Sequence, residues 1–173
     1  MKTKHGQSQL PEIALPWLVV AELATWIGAS FIWPLTSVYL NKRLGISLSV
    51  IGIVLFCNCA ANMLGSTISG RLFDRLNPYP LITGGMLLDA LVLLAMAFFH
   101  GWPVYWVWLV CTGFLGGWNG ALVNSIATSL RKYPGRYVFN ILYFSQNLGV
   151  VIGTLIVGYL YDYSIELLFT IAS

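Results

Sequence analysis

Two acidic residues of this sequence lie within long apolar runs, where a carboxylate can exchange a proton or bind a cationic molecule. Glu22 lies in the run from Ile13 to Leu40, and Asp89 lies in the run from Leu81 to Phe99. A charge in an apolar medium is costly, so such a residue requires a partner, water or a function. Glu22 is thus a candidate for cation and proton binding. Asp89 is either a proton carrier or an acceptor for Ser, Asn or Trp donors of neighbouring segments.

Glu22 shares one face of a predicted helix with aromatic and hydroxyl side chains. At about 100° per residue, the residues within about 60° of its direction are Thr25, Trp26, Ala29, Trp33, Thr36 and Ser37. Indole faces attract cations, and a carboxylate supplies the opposite charge. We therefore expect Glu22, Trp26 and Trp33 to line a cavity for amphipathic cations. The alternative is that Glu22 is solvated at the membrane surface.

Amides and small residues recur three or four positions apart in three further apolar segments. They are Asn58, Asn62, Gly65 and Ser69 in the second segment, Gly113, Gly117, Gly120 and Asn124 in the fourth, with Asn119 adjacent, and Gln146, Asn147, Gly149 and Gly153 in the fifth. This spacing lets helices approach closely, and amides can hydrogen-bond across the contact. We expect the glycines to serve packing, whereas Asn119, Asn124 and Gln146 either line a cavity or join helices.

The composition places these segments in a membrane. The 173 residues are 58% hydrophobic and 9% charged, against about 25% charged in a soluble domain. The basic residues are scattered over short connections, which argues against a nucleic-acid partner. Phosphate-binding loops, HExxH patterns and Cys/His metal spacings do not occur in the sequence. We therefore expect a protein that is not an enzyme and has no catalytic residue, metal or cofactor.

A helix of about 20 mostly apolar residues spans a bilayer. The sequence therefore predicts an all-α integral membrane protein, with a cytoplasmic tail over residues 1–15 and a helix bundle over residues 16–173. The expected complete spans are residues 16–40, 48–69, 80–99, 105–130 and 137–160, and Ser47 is the expected N-cap of the second. A sixth span, over residues 165–173, is incomplete because it is too short to cross the bilayer.

The basic residues predict the orientation of the spans, since short connections make neighbouring helices antiparallel. One side carries Lys2, Lys4, Arg71, Arg75, Arg131, Lys132 and Arg136, and the other carries Lys42 and Arg43. By the positive-inside rule, the first side and the N-terminus face the cytoplasm in a cell membrane. An interfacial aromatic belt is expected at the span ends, from Trp17, Tyr39, Tyr79, Trp102, Tyr105, Tyr137 and Tyr161.

A charged hexapeptide, Gly70-Arg71-Leu72-Phe73-Asp74-Arg75, separates the second and third apolar runs, and we expect it to form the turn between them. It resembles the first half of the loop signature of the major facilitator superfamily, with matches at Gly70, Leu72, Asp74 and Arg75. The second half differs, because residues 76–80 lack its glycine and basic residues. The segment from Arg136 through residues 146–149 to Gly153 is similar to the fifth helix of the drug:proton antiporters of that superfamily.

The resemblance implies the N-terminal part of a transporter with two six-helix halves that alternate access to a central site. It implies a site lined by the first and fourth helices and a conformational switch formed by Gly70, Asp74, Arg75 and Arg136. The implied function is proton-coupled efflux of amphipathic or drug-like small molecules. The implied partners are the substrate, protons, the lipid bilayer and a missing C-terminal half or a second copy. The alternatives are a sugar, peptide or metabolite symporter of the same fold and a truncated fragment that does not transport.

Overall fold

The structure, a computed structural model, describes residues 15–38, 40–41, 44–99, 101–130 and 132–160, with side chains except those of residues 31–35, 37–38, 97 and 160. Its regular elements are the helices α1 (Leu15–Val38), α2 (Leu48–Phe73), α3 (Pro78–Phe98), α4 (Val104–Ser129) and α5 (Gly135–Leu160). The predicted all-α fold is confirmed. The expected sixth span lies outside the described residues.

Most of these helices are long and apolar enough to cross a membrane. The segments that meet this description are Leu48–Phe73, Pro78–Met96, Val104–Ser129 and Gly135–Tyr159, and Leu15–Ser30 is a shorter apolar helix. Connections of four residues between α2 and α3, and of five between α3 and α4 and between α4 and α5, join them. Such short connections make consecutive helices antiparallel.

The second helix begins as the sequence predicts but ends later. The Ser47 side chain accepts a hydrogen bond from the Val50 backbone N–H, which confirms Ser47 as the N-cap. Residues 70–73 continue α2, so the prediction that the whole charged hexapeptide forms the turn is wrong. The turn starts at Asp74, and Asn77 caps α3 by accepting a bond from the Tyr79 backbone N–H at 3.2 Å. The helix outlasts the apolar run because nothing before Pro78 in this segment forbids helical geometry.

Close contacts at glycines join α2 to α4, the most extensive helix contact of the described part. A Cβ on Gly117 would strike the backbone carbonyl of Asn62, and one on Gly65 would strike that of Phe114. Asn58 adds a hydrogen bond from Nδ2 to the Leu109 backbone oxygen at 2.6 Å. The expectation that these small residues serve packing is therefore confirmed for this helix pair.

The first helix packs chiefly against α5, where two glycines again permit the approach. A Cβ on Gly149 would lie 2.9 Å from the Trp26 Cβ, and one on Gly153 would strike the Ser30 hydroxyl. Ser30 is buried and donates its hydroxyl to its own helix, at the Ile27 carbonyl. α3 packs on α4, so the described helices form an α1–α5 pair beside an α2–α3–α4 group.

The pair and the group meet in one apolar cluster at each end of the bundle. At the end that carries the α2–α3 and α4–α5 turns, here named the Asp74 end, buried residues of α1, α4 and α5 pack together: Leu15, Leu18, Val123, Ile126, Ala127, Val138 and Leu142. At the opposite end, the Gly101 end, the cluster consists of Leu40, Ile51, Val54, Met96, Tyr105 and Leu109. These two clusters pack α4 against α1 at the Asp74 end and against the residue Leu40 that follows α1 at the Gly101 end.

Candidate functional site

Glu22 and Trp26 of α1 form the polar centre of the candidate site. The Trp26 Nε1–H donates to Glu22 Oε1 at 2.8 Å, and both side chains are half-buried. They stand one turn apart, as the helical period predicts. The bond holds the indole and the carboxylate beside each other, which is the combination of charge and ring face that a cation requires. The expected proximity of these two side chains is thus present, while their role remains a prediction.

The packing of α5 fixes the base of the Trp26 side chain, because Gly149 lies directly against its Cβ. Gln146, one turn before Gly149 on α5, is half-buried, and Asn147 is exposed and donates to the Tyr143 carbonyl of its own helix at 2.7 Å. Trp33, the other aromatic residue assigned to this wall, has a side chain outside the described set. The described part of the wall therefore consists of Glu22, Trp26 and the neighbouring α5 surface.

Thr36 does not belong to a wet stripe on α1, contrary to the expectation from its helical phase. It is fully buried, and its Oγ1 lies 2.8 Å from the Tyr105 hydroxyl of α4. Tyr105 is also fully buried, so its expected place in an interfacial aromatic belt is wrong. Its position near the start of α4 suggested the membrane surface, but Thr36 of α1 and apolar residues of α2 and α3 cover it there. Trp17, by contrast, is 73% exposed.

Asp89 of α3 has an amide partner on a neighbouring helix, which is one of the two roles that the sequence left open for it. Its carboxylate hydrogen-bonds to the side chain of Asn119 on α4. Asn119 is only 4% exposed, and its Oδ1, which lies against Gly85, has no hydrogen-bond partner among the described residues. Asn119 therefore joins α3 to α4 and does not face an open cavity. Whether Asp89 also carries protons stays a prediction.

A mostly apolar groove of about 210 Å³ lies beside this pair, between α3 and α4. Its walls are Pro80, Leu81, Gly84, Gly85, Leu88, Phe114, Leu115 and Trp118. The Trp118 Nε1–H donates to the Leu81 carbonyl at 3.1 Å across it. The groove thus offers apolar contact without a free charged group along its wall.

Asn124, the remaining candidate on α4, is exposed, and Gly120 has open space where a Cβ would stand. These two residues lie on the same face of α4 as Gly113 and Gly117, but they come after the segment of α4 that contacts α2 closely. An exposed amide in an apolar helix needs water or a further protein surface. Asn124 is therefore available to line a cavity, which is one of the two roles that the sequence left open for it.

The predicted switch residues surround the α2–α3 and α4–α5 turns. Gly70 is half-buried, whereas Asp74, Arg75 and Arg136 are exposed. Within the described ranges, Asp74 has no basic side chain within the 4.0 Å of an ion pair. Phe73, in the middle of the signature, instead packs on the apolar cluster of the Asp74 end. In this structure the contact of Phe73 with that cluster, rather than an ion pair of Asp74, holds the hexapeptide against the bundle.

Tyr105 and Ser30 are structural residues whose packing roles the sequence did not predict. Tyr105 lies 69 positions from its partner Thr36, and no local spacing can reveal such a pair. Ser30 lies opposite Gly153, and only a small residue fits at that close contact. In the described part of the chain, no group of three His, Cys, Asp or Glu side chains could hold a metal ion.

Apolar helices of membrane-spanning length, paired through glycines and carrying isolated polar residues, define a polytopic α-helical membrane protein. The chain matches the Major Facilitator Superfamily over residues 18–173 and belongs to that family of transporters. The resemblance of the charged hexapeptide is therefore confirmed at the level of the family.

Curated relatives agree with this assignment. The chain is 36% identical over 156 residues to the uncharacterized MFS-type transporter YttB of Bacillus subtilis (strain 168), an alignment that covers 90% of the chain and 39% of the relative. It is 27% identical to the multidrug resistance protein MdtH of Enterobacter sp. (strain 638), over 92% of the chain and 40% of the relative. It is 29% identical to MdtH of Cronobacter sakazakii, with the same coverage. The chain thus spans about two fifths of the length of these relatives.

Proposed function

We propose that this chain is the N-terminal half of a secondary active transporter that exports amphipathic or drug-like cations in exchange for protons by alternating access. The observation that carries the proposal is the Glu22–Trp26 pair, which presents a carboxylate and an indole on one face of α1. The name of the MdtH relatives, multidrug resistance protein, supports the same substrate class. The remaining half of the transporter, or a second copy, completes the cavity.

The pair can bind a lipophilic cation in two ways at once. The second carboxylate oxygen of Glu22 supplies charge, since Trp26 bonds only to Oε1. The indole keeps its faces for cation–π contact, because its single N–H is already used and its ring orientation is fixed. A proton that neutralises Glu22 removes the charge and releases the cation. Binding of a proton and binding of a cation are therefore mutually exclusive at one carboxylate, which is the requirement for exchange.

The orientation follows from the charges of the connections. Four basic residues lie at the Asp74 end, and all of them are exposed: Arg71, Arg75, Lys132 and Arg136. By the positive-inside rule this end faces the cytoplasm of a plasma or inner membrane. Glu22 lies about two turns inside α1 from that end, so it is within reach of substrates that enter from the cytoplasm or the inner leaflet.

The test is export of ethidium, a fluorescent lipophilic cation, by cells that express the whole protein containing this chain. We expect lower ethidium accumulation than in cells without the protein, and loss of the difference when a protonophore collapses the proton gradient. Trp26→Leu should weaken export several-fold, because a cation–π contact contributes about 0.5–2 kcal/mol. Trp26→Phe should retain more export than Trp26→Leu. Equal accumulation with and without the protein would count against drug export.

Symport of a sugar, peptide or other metabolite is the alternative on the same fold. It would use the amides Asn119, Asn124 and Gln146 to bind hydroxyl or peptide groups. Asn119 is engaged with Asp89 and buried, so only Asn124 and Gln146 remain accessible to such a substrate. Uptake of radiolabelled metabolites that is unaffected by ethidium would favour this alternative.

A further inference from the structure

The hydrogen bond between Thr36 and Tyr105 connects α1 to α4 far along α1 from the Asp74 end, where Leu15 and Leu18 also pack on α4. Thr36 Oγ1 and Tyr105 Oη lie 2.8 Å apart, and both side chains are 0% exposed. The main contacts of α1 are with α5, and those of α4 are with α2 and α3. Both side chains are shielded from solvent in the packed structure, so breaking the bond there leaves two buried hydroxyl groups without this partner, which is costly.

The packing partner of α1 changes along its length. From Leu23 to Ser30, α1 lies against Gly149 and Gly153 of α5. Beyond this segment, Thr36 bonds to α4, and Leu40 is buried in the apolar cluster of the Gly101 end. The segment of α1 from Leu23 to Ser30 is thus fixed to α5, and the part that follows is fixed to α4 and α2.

Pro34 stands between the two attachments. Proline has no amide hydrogen, so the backbone bond from residue 34 to the Ser30 carbonyl is missing. Helices bend most readily at such a residue. A movement of α4 relative to α5 therefore bends α1 near Pro34, unless the Thr36–Tyr105 bond breaks first.

We propose that Tyr105 is a positioning residue of the transporter. Leu15 and Leu18 pack on α4 at the Asp74 end, so the Tyr105–Thr36 bond completes an attachment of α1 to α4 on both sides of the Glu22–Trp26 pair and thereby limits the distance between α4 and that pair. This inference rests on the proposed function, because it assigns Tyr105 a role in the cation site of α1. The hydrogen bond acts on the site through the helix, without touching the substrate.

The experiment uses the whole purified protein in detergent or nanodiscs and two measurements. Hydrogen–deuterium exchange of the peptide that contains Thr36 reports the attachment of α1. The dissociation constant of ethidium reports the site and does not require transport. The variants are Tyr105→Phe and Thr36→Val, which keep the shape of the side chains, and Thr36→Ser, which keeps the hydroxyl. The matched control is Thr112→Val, which removes a buried hydroxyl that bonds only within α4, to the Leu109 carbonyl at 2.9 Å.

We expect Tyr105→Phe and Thr36→Val each to raise the exchange rate of the Thr36 peptide by about fivefold, as expected for loss of one buried hydrogen bond. The ethidium dissociation constant should rise by a similar factor, and Thr36→Ser should restore both values. Thr112→Val should change neither. Unchanged exchange in Tyr105→Phe, or an equal effect in Thr112→Val, would overturn the inference. Ethidium binding without export would instead contradict the proposed function and leave the positioning result standing.

Discussion

Trp26 donates its indole N–H to the Glu22 carboxylate one turn earlier on α1, at 2.8 Å. Gly149 of α5 lies against the Trp26 Cβ, so α5 packs closely on the segment of α1 that carries the indole. The carboxylate is therefore oriented by a side chain whose helical segment is packed against a second helix. Such a chain of contacts gives a binding site a fixed shape before the ligand arrives, which lowers the entropy cost of binding.

Replacement of Glu22 by glutamine removes the negative charge and keeps the shape of the side chain, so it tests the charge alone. The amide oxygen of Glu22→Gln can still accept the Trp26 bond, so the indole should keep its position. We expect the affinity for ethidium to fall at least about tenfold, because a half-buried charge is screened less than a surface charge. Fluorescence titration of the purified whole protein measures this change.

A neutral amphipathic ligand is the control for the Glu22 substitution, since it does not use the charge. Its affinity should be the same for Glu22→Gln and for the wild type. Glu22→Leu, which also removes the acceptor of the Trp26 bond, should weaken both ligands. Wild-type affinity of Glu22→Gln for ethidium would show that Glu22 is only solvated at the membrane surface.

Gly117 and Gly120 of α4 provide a matched pair for testing the helix packing. A Cβ on Gly117 would strike the Asn62 carbonyl of α2, whereas Gly120 has nothing within 4 Å of such an atom. We expect Gly117→Ala to lower the free energy of unfolding by about 1–3 kcal/mol, the usual cost of overpacking. Gly120→Ala should be neutral or slightly stabilising, because alanine favours the helix. Thermal unfolding in detergent, followed by loss of monodisperse protein, compares the two.

The helices themselves followed from composition and from the length of the apolar runs. The spacing of Gly65, Gly113 and Gly117 also indicated which helix faces are buried. It could not indicate that α2 pairs with α4 or that α1 pairs with α5, because a row of small residues fits any partner of suitable shape. The late end of α2, at Phe73, escaped prediction because Gly70 and Arg71 suggested a turn while the backbone continued its helical bonds.

The site was predictable where its residues are neighbours on one helix. Glu22 and Trp26 stand four positions apart, so the helical period places them together. Thr36 shares that phase, but Tyr105 covers it from α4. Helical phase determines the direction in which a side chain points, and only the tertiary contacts determine what it meets there.

The Asp89–Asn119 bond should stabilise the folded protein, because it gives the Asp89 carboxylate a polar partner inside the membrane. Asn119→Leu removes the amide donor and leaves the Asp89 carboxylate in a membrane helix without this partner. We expect a loss of about 1–3 kcal/mol in the free energy of unfolding. The double variant Asp89→Leu/Asn119→Leu should recover most of this loss, because replacement of both partners by apolar groups leaves no unpaired charge.

Asn124→Leu is the control for the Asn119 substitution, since it changes an exposed amide on the same helix. It should leave the unfolding temperature within the error of the measurement. Equal stability of Asn119→Leu and the wild type would show that Asp89 is solvated by water rather than by Asn119.

Asp74 should act on the rate of transport and not on the binding of substrate. It is exposed at the turn after α2, away from the Glu22–Trp26 pair of α1 that we propose to bind the cation. Exposed ion pairs contribute about 0–1 kcal/mol. If Asp74 forms such a pair in only one conformational state, its loss changes the equilibrium constant between the states by about fivefold at most. We therefore expect Asp74→Asn to slow ethidium export up to about fivefold with an unchanged dissociation constant. Asp74→Glu, which keeps the charge, should export at close to the wild-type rate. Wild-type export by Asp74→Asn at low ionic strength, where surface charges are least screened, would exclude Asp74 as a conformational switch.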